Sequence, residues 1–284
     1  MSPGELARAR RIVPTEKMSY VDSIQLWLKN PLLPRTRLDW LAARCDSIDV
    51  RQQPKRWDPA YRVRLQVRRP SQEALQWLAT LSGVLMNYVE IGLDWTFTTE
   101  EERDAAHEFV INHHIKRWHG DQQVTFHKGT RYTAQRRVPN KLVSYADRPS
   151  RITEEIHCVH VQWRLNGARA LQRAGIATVA ELLKLDHHQF WKDRLLLRRV
   201  NQQALGRQYN VHVLGKGRRR GPWIAYYGPG KSLRYNYDGR AGYILMRTRG
   251  TTQAVVDEFR KHFDVSRCLE ALEIPELLPG NFVE

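Results

Sequence analysis

Cysteine is scarce in this sequence: Cys45, Cys158 and Cys268 are the only three among 284 residues. An odd number of widely spaced cysteines excludes a disulfide framework and does not match the ligand spacing of a zinc knuckle. Thiols of this kind suit a reducing compartment, so we expect a cytoplasmic protein. No apolar run reaches the roughly 18 residues that a membrane span needs. The basic stretch 1–17 lacks the apolar centre of a secretory signal.

Acidic residues are fewer than basic ones in this sequence. The chain carries 46 lysines and arginines against 30 acidic residues, a net charge of +16 and a pI near 10.1. A solubilising surface would need a much smaller excess, and a basic membrane-surface protein would be expected to carry a lipidation signal, which we do not find. Phosphate backbones attract such a charge and release counterions on binding. The composition therefore favours a nucleic-acid-binding protein that does not associate with membranes.

The first 58 residues are predicted to form a basic arm followed by a helical region. Val21, Ile24 and Leu28 follow a helical spacing, and Ser19 with Asp22 is typical of a capping pair at a helix start. A second short helix is predicted over 37–45.

Residues 59–166 are predicted to form the core. Residues 61–68 alternate between apolar and polar, which predicts a half-buried strand with a basic open face. A helix over 71–83, a strand over 84–96 and a helix opened by Thr98 with Glu101 and running to about 118 follow. Four short strands come next, at 123–127, 130–134, 141–145 and 157–165. This order predicts an α+β fold with a largely antiparallel sheet and helices packed on one face.

Beyond the core we expect a helical region over 167–214 and a small C-terminal module over 215–284. The helical region has a first helix over 167–174, a second opened by a capping box of Thr178 with Glu181, and a third from Asp186 to about 208. A basic linker precedes the aromatic-rich module. Its aromatic and arginine residues suit either stacking on unpaired bases or the core of a small β unit. Another helix is predicted over 266–272.

Two carboxylates on the predicted strand 84–96 are candidate metal ligands. Glu90 and Asp94 lie four residues apart, so both point to one face of a strand, with Gly92 leaving room between them. Clustered carboxylates suit a hard divalent cation. An equally good interpretation is that both residues pair with neighbouring arginines across the sheet.

Tyr145, at the end of the strand 141–145, is a candidate nucleophile. A tyrosine oxygen can attack a phosphodiester and retain the DNA end as a phosphotyrosine. Lys141 and Arg148 could supply the positive charge that a phenol needs for this reaction. The other interpretation is an edge-strand aromatic packed on a neighbour.

On the next strand, His160, Gln162 and Arg164 share one face at a spacing of two. They mark either a functional face or an ordinary exposed one.

In this order the three segments resemble the trans-acting replication initiation factor family of plasmids and filamentous phages, which are rolling-circle initiators. The resemblance covers residues 60–175. It implies that Glu90 and Asp94 hold Mg²⁺ or Mn²⁺, that Gln162 or His160 completes the shell, and that Tyr145 attacks one strand at an origin. Two departures concern its motifs: residues 146–148 are Ala-Asp-Arg instead of acid and lysine, and Gln162 stands where a glutamate is expected.

The resemblance also implies partners. The protein would bind an origin hairpin or single-stranded DNA, form a homodimer and meet host replication proteins. The helical region after 165 would help recognise the origin. The predicted DNA-contacting residues are Arg62, Arg64, Arg131, Lys141, Arg148 and Arg164.

Two other interpretations stay open. The His160-Val161-Gln162 triplet is similar to the degenerate metal-binding triplet of some viral replication initiators, in which the nucleophile lies downstream, here Tyr209 or Tyr227. Either layout transfers a DNA strand to tyrosine with metal assistance and leaves a free 3′-hydroxyl. The main rival is a non-catalytic DNA-binding protein, a regulator or a degenerate initiator. An RNA-binding protein built on the same sheet is a further alternative.

Overall fold

The structure is a computed structural model that describes residues 13–29, 33–56, 58–114, 124–127, 130–133, 140–195, 197–201, 204, 224–225, 234–235, 266–272 and 277–279. The chain divides into two compact units. The first, which we call the sheet unit, comprises 14–103, 120–192 and 276–284. The second comprises 1–13, 104–119 and 193–275. None of the helices within the described residues combines the length and apolarity that crossing a bilayer requires.

The sheet unit is built on eight strands in the order β2-β3-β1-β4-β8-β7-β6-β5. Every neighbouring pair is antiparallel. The strands are β1 (Glu16–Leu28), β2 (Ser47–Gln52), β3 (Val63–Arg68), β4 (Val84–Thr96), β5 (Val124–His127), β6 (Thr130–Thr133), β7 (Asn140–Tyr145) and β8 (Cys158–Asn166). Six helices occur in the described residues: α1 (Arg35–Ala42), α2 (Gln72–Ala79), α3 (Glu100–His113), α4 (Ala168–Arg173), α5 (Val179–Leu182) and α6 (His187–Arg194). The predicted α+β class with an antiparallel sheet is confirmed.

The predicted helix beginning at Ser19 is wrong: this segment is β1, a 13-residue strand. β1 lies between β3 and β4, and most of its side chains are buried on both faces. The apolar–polar alternation by which strands are recognised is interrupted in β1 at the segment 21–23. The spacing of Val21, Ile24 and Leu28 then happens to match a helix.

One face of the sheet is apolar and carries helices. Ile91 of β4, Trp163 of β8 and Leu142 of β7 are register partners across three adjacent strands, and all are buried. The helix α4 packs against β4 and β8. Apolar side chains on one face of the core strands therefore form the main core.

The helix α6 is attached to this face by a buried polar cluster. The Trp191 indole N–H donates to Ser19 Oγ at 2.8 Å, and His187 Nδ1 lies 2.6 Å from the same oxygen. Ser19 Oγ in turn donates to the carbonyl of Gly92 at 3.1 Å. Burial lowers the pKa of His187 to about 4, although the neighbouring Asp186 acts in the opposite direction. The imidazole is therefore neutral at pH 7, and its Nδ1–H donates to Ser19.

The capping predictions had mixed outcomes. The box of Thr178 with Glu181 at α5 is confirmed, with both hydrogen bonds present. At α3 the cap is one residue later than predicted, because Thr99 Oγ1 accepts from the backbone N–H of Glu102 at 3.3 Å.

Two predicted C-terminal helices are corrected. The helix that begins after Asp186 ends at Arg194, not near 208, and β9 (Arg198–Val200) follows it. The predicted helix 266–272 is a 3₁₀ turn over Ser266–Cys268 followed by a strand. The second unit also holds β10 (Ile224–Ala225) paired with β11 (Arg234–Tyr235). The strand after the 3₁₀ turn, β12 (Leu269–Ala271), pairs with β9.

Candidate active site

The candidate site lies on the polar face of the sheet, where a bulge in β1 brings an acidic and a hydroxyl side chain together. The pairing of β1 with β4 shifts register between Val21 and Ser23, which leaves Asp22 without a partner in β4. A bulge adds one residue to one strand and turns adjacent side chains toward the same side. Asp22 and Ser23 consequently both line the cavity on this face.

The cavity has a volume of about 340 Å³ and a polar lining. Among the lining residues are four arginines and three acids. They are Arg68, Arg148, Arg151, Arg164, Asp22, Glu90 and Asp147, and they are accompanied by Ser23, Gln66, Thr130, Val143, Tyr145 and Gln162. All of these residues belong to the sheet unit. A cavity of this composition is suited to a charged, hydrated ligand such as a phosphodiester.

Tyr145 is held in the cavity by a hydrogen bond to its oxygen. Gln162 Nε2 donates to the Tyr145 hydroxyl at 2.9 Å and to Asp22 Oδ2 at 2.8 Å. The Gln162 Oε1 atom accepts from Arg164 at 2.7 Å. This network fixes the orientation of the amide, so its nitrogen faces Tyr145 and Asp22. An N–H aimed at a phenol oxygen stabilises the phenolate more than the phenol.

The charged groups around Tyr145 shift its pKa in opposite directions. Burial raises the pKa of Tyr145 to about 12; the nearby Arg151 and Arg148 lower it, while Asp22 and Asp94 raise it. The Arg148 guanidinium lies 5.9 Å from the centre of the Tyr145 ring. Tyr145 is only 6% exposed. The phenol therefore needs additional positive charge before it can act as a nucleophile at neutral pH.

Asp22 and Glu90 form a pair of neighbouring carboxyl groups. Burial raises the pKa of Asp22 to about 6, Arg151 opposes this, and Glu90 raises it further through its charge and a hydrogen bond. Arg151 donates to Asp22 Oδ1 at 2.6 Å, and Arg164 Nε lies 3.0 Å from Glu90 Oε1. The Tyr88 hydroxyl also donates to Glu90. Two adjacent acids in a polar cavity form a site that a cation would stabilise.

Asp94 belongs to a second, fully buried cluster. Its Oδ1 accepts from the Tyr20 hydroxyl at 3.0 Å and lies 2.8 Å from His160 Nδ1. Its Oδ2 accepts from Ser150 Oγ at 3.0 Å and from the backbone N–H of Arg151 at 3.3 Å. Asp94 thereby holds the loop after β7 over the sheet.

His160 connects this cluster with Tyr145. Its Nε2 lies 3.0 Å from the carbonyl oxygen of Arg148, which can only accept, so Nε2 carries a proton. The imidazole stacks on the Tyr145 ring, with centroids 4.6 Å apart and planes inclined by 21°. The stacking of His160 thus positions the ring of Tyr145.

Asp94, Cys158 and His160 have ligand atoms within 4.8 Å of one another and could hold a metal ion. Asp94 and His160 already have hydrogen-bond partners on the atoms that would bind such an ion. Burial, followed by the charge of Asp94, raises the pKa of the Cys158 thiol. Hard cations such as Mg²⁺ prefer oxygen ligands, and the Asp22–Glu90 pair offers those at the cavity wall.

Gly92 is required between these two clusters because of Tyr20. A Cβ atom at Gly92 would lie 2.6 Å from Cζ of the Tyr20 ring. The missing side chain therefore lets Tyr20 cross β4 and reach Asp94.

The structure divides the four predicted metal ligands into two groups. Glu90 and Asp94 share a face, as expected, but four residues along a strand separate their Cα atoms by about 13 Å. Glu90 joins Asp22, whereas Asp94 joins His160. Glu90 also makes the arginine pairing that was the alternative interpretation, with Arg164 directly opposite in register. Gln162 lies between the two groups.

The predicted DNA-contacting residues do not all line the cavity. Arg148 and Arg164 line the cavity. Lys141 is the register partner of Arg164 on β7, whereas Arg62 and Arg64 do not line the cavity, and Arg64 pairs with Asp49 at 3.1 Å. Arg131 lies opposite Ser144 in the sheet, but its side chain is outside the described residues. Tyr209 and Tyr227 also lie outside the described residues.

Sequence reasoning missed Asp22, Arg68 and Arg151 as cavity residues. Asp22 lies in the segment predicted to start a helix, where the bulge interrupts the alternation of β1. Arg151 lies in the loop between β7 and β8, and no local pattern indicates its contact with Asp22. Arg68 was recognised on the basic strand face but was not singled out.

Comparison with known proteins gave one kind of similarity. No protein-family model matches the chain, and no curated protein matches its sequence. Among solved structures, the fold is similar to that of a rolling circle replication initiator protein from Geobacillus stearothermophilus. The match has a TM-score of 0.38 and 10% sequence identity, and covers 65% of this chain and 88% of the other.

Proposed function

We propose that this protein is a rolling-circle replication initiator that nicks one DNA strand with Tyr145. The observation that carries the proposal is the position of the Tyr145 hydroxyl, in an arginine-lined cavity beside two carboxyl groups. A nucleophile, a cation site and phosphate-binding charge are the parts that transesterification of a phosphodiester requires. Origin DNA, a second copy of the chain and host replication proteins are the proposed partners.

The reaction exchanges one phosphate ester for another. The Tyr145 oxygen attacks the phosphorus and forms a phosphotyrosine with the 5′ end created by the cut, while the bond to the 3′-oxygen breaks. The proton lost by the phenol balances the proton gained by the 3′-hydroxyl. Gln162 stabilises the phenolate by donating to its oxygen, and Arg148 and Arg164 contact the phosphates.

The proposed metal site consists of Asp22 and Glu90, with Mg²⁺ or Mn²⁺ as the ion. The residues fit, because two carboxyl groups lie together at the wall of a polar cavity, where burial and then the charge of Glu90 raise the pKa of Asp22. When bound, the ion would polarise the scissile phosphate. Arg151 balances the charge of Asp22 in its absence.

The nickase is tested by the covalent adduct. The protein is incubated with Mn²⁺ and a 3′-labelled, single-stranded DNA library of random sequence, denatured in detergent and assayed for labelled protein. We expect an adduct that Tyr145→Phe abolishes and that Tyr61→Phe, a change at a tyrosine outside the cavity, leaves intact. An adduct that survives Tyr145→Phe assigns the nucleophile to another tyrosine.

The metal site is tested by Mn²⁺ binding, measured by calorimetry without DNA. We expect Asp22→Asn and Glu90→Gln each to weaken binding by at least about tenfold. Asp49→Asn, which removes a surface carboxylate paired with Arg64, serves as the matched control. An unchanged affinity for Mn²⁺ in both site variants would show that the ion does not bind to Asp22 and Glu90.

A non-catalytic DNA-binding protein is the second candidate. It is favoured by the pairing of both carboxylates of the proposed metal site with arginines, Asp22 with Arg151 and Glu90 with Arg164, which leaves these two acids compensated without an ion. Absence of both the adduct and Mn²⁺ binding would select this alternative.

A further inference from the structure

The arginines of the cavity differ in their partners. Arg151 pairs with Asp22 and Arg164 with Glu90. Arg68 and Arg148 are exposed and, within the described part of the chain, have no acidic partner in the sheet unit. The neighbouring Arg69 shows the contrast, because its guanidinium is bonded to Asp46. Two cations at the cavity wall are thus left uncompensated.

Arg68 lies at one end of a row of register partners that crosses the sheet, and Arg148 lies beside the strand on which that row ends. Arg68 of β3 is in register with Ser23 of β1, which is in register with Glu90 of β4, and Glu90 with Arg164 of β8. Side chains of register partners stand on the same face. On β7, the next strand, Lys141 is the partner of Arg164, and the row ends there. Arg148 follows the other end of β7 and lies over the ring of Tyr145.

The length of the row sets the size of the ligand. β3 and β7 are separated by four inter-strand spacings in the sheet, and at about 4.8 Å each they lie about 19 Å apart. A single phosphate cannot span that distance, whereas a polynucleotide with several phosphates can. Tyr145 is almost buried within the cavity, so the strand must enter unpaired to present a phosphate to it.

We propose that single-stranded DNA crosses the sheet from β3 to β7, with Arg148 binding a phosphate beside the one that Tyr145 attacks and Arg68 binding a phosphate about 19 Å away. This assignment rests on the proposed function for the choice of DNA and of Tyr145. The row itself recognises phosphodiesters, so it binds the strand without reading its sequence.

The test is the salt dependence of binding, measured in EDTA so that no nicking occurs. The probe is a fluorescent oligothymidylate long enough to cross the sheet. Each phosphate contact on a single strand contributes about 0.7 to the slope of log affinity against log salt. We expect Arg68→Gln and Arg148→Gln each to reduce the slope by about 0.7, the double variant by about 1.4, and Arg68→Lys to retain it.

Arg44→Gln is the matched control, because it removes an arginine that pairs with Glu73 outside the cavity. An equal loss of slope in Arg44→Gln, or no loss in Arg68→Gln and Arg148→Gln, would show that these two arginines do not bind the strand specifically. An equal loss on a duplex of the same length would overturn the single-strand assignment. If the slope falls but no tyrosine adduct forms, the two arginines bind the strand and the proposed nickase is refuted. If an adduct forms but the slope does not fall, the nickase stands and the proposed path of the strand is refuted.

Discussion

Replacing Gly92 by alanine should destabilise the sheet unit by about 1–3 kcal/mol, the usual cost of overpacking a core. The added methyl group would lie 2.6, 2.8 and 3.0 Å from three carbons of the Tyr20 ring. Tyr20 is 5% exposed and donates to Asp94, so its ring cannot move aside without breaking that hydrogen bond. The contact is with a rigid, buried ring, so relaxation offers little relief.

A double-mutant cycle isolates this contact. In a Tyr20→Ala background the space beside Gly92 is open, so Gly92→Ala should cost little there, with a coupling of about 1–3 kcal/mol between the two sites. Gly175→Ala is the control. Gly175 has a φ of +74°, and a methyl group added there would have no atom within 4 Å, so its cost of about 1 kcal/mol is conformational and should be the same in both backgrounds.

Urea unfolding followed by tryptophan fluorescence measures these free energies, with the slope of each transition as a check on the unfolded state. An unchanged stability of Gly92→Ala would refute the steric contact with Tyr20. An equal loss of stability with and without the Tyr20 ring would refute it as well.

Two further predictions concern stability. Because burial lowers the pKa of His187 from 6.5 to about 4, the unfolded chain binds a proton at this residue first, and stability should fall as the pH drops from about 6.5 to about 4, by up to about 3 kcal/mol. Urea titrations across this range should show a shallower dependence for His187→Gln, and an unchanged dependence would contradict the neutral, buried imidazole. Thr178→Ala removes the acceptor of the 3.1 Å bond from the Glu181 N–H and should cost about 1 kcal/mol. Glu181→Gln, which can still reach back to the Thr178 N–H, should cost less in the same measurement.

Much of the sheet could be predicted from local pattern. β4 has the predicted bounds, and β7 and β8 agree with prediction to within a residue. Each has turn signals at its ends and apolar side chains on one face. The face shared by His160, Gln162 and Arg164 followed from a spacing of two alone. Alternation is a property of the strand itself, so no tertiary contact is needed to see it.

The N-terminal strand could not be predicted in this way. β1 is paired on both sides and covered on both faces, and its bulge interrupts the register. Met18 and Tyr20 are spaced by two, as are Ile24, Leu26 and Leu28, but the segment 21–23 at the bulge interrupts this alternation. The choice between helix and strand at Ser19 depends on the partners β3 and β4, which are distant in sequence.

The sequence by itself determined the antiparallel α+β class, the excess of positive charge that favours nucleic-acid binding and the candidate residues Tyr145, Glu90 and Gln162. Only the tertiary structure decided which of them meet. Glu90 and Asp94 share a face, yet the rise of about 3.3 Å per residue separates them, and Asp22 reaches Glu90 from another strand through a bulge. A residue's face is set by the local backbone, whereas its neighbours across the sheet are set by register, and register depends on the packing of the whole sheet.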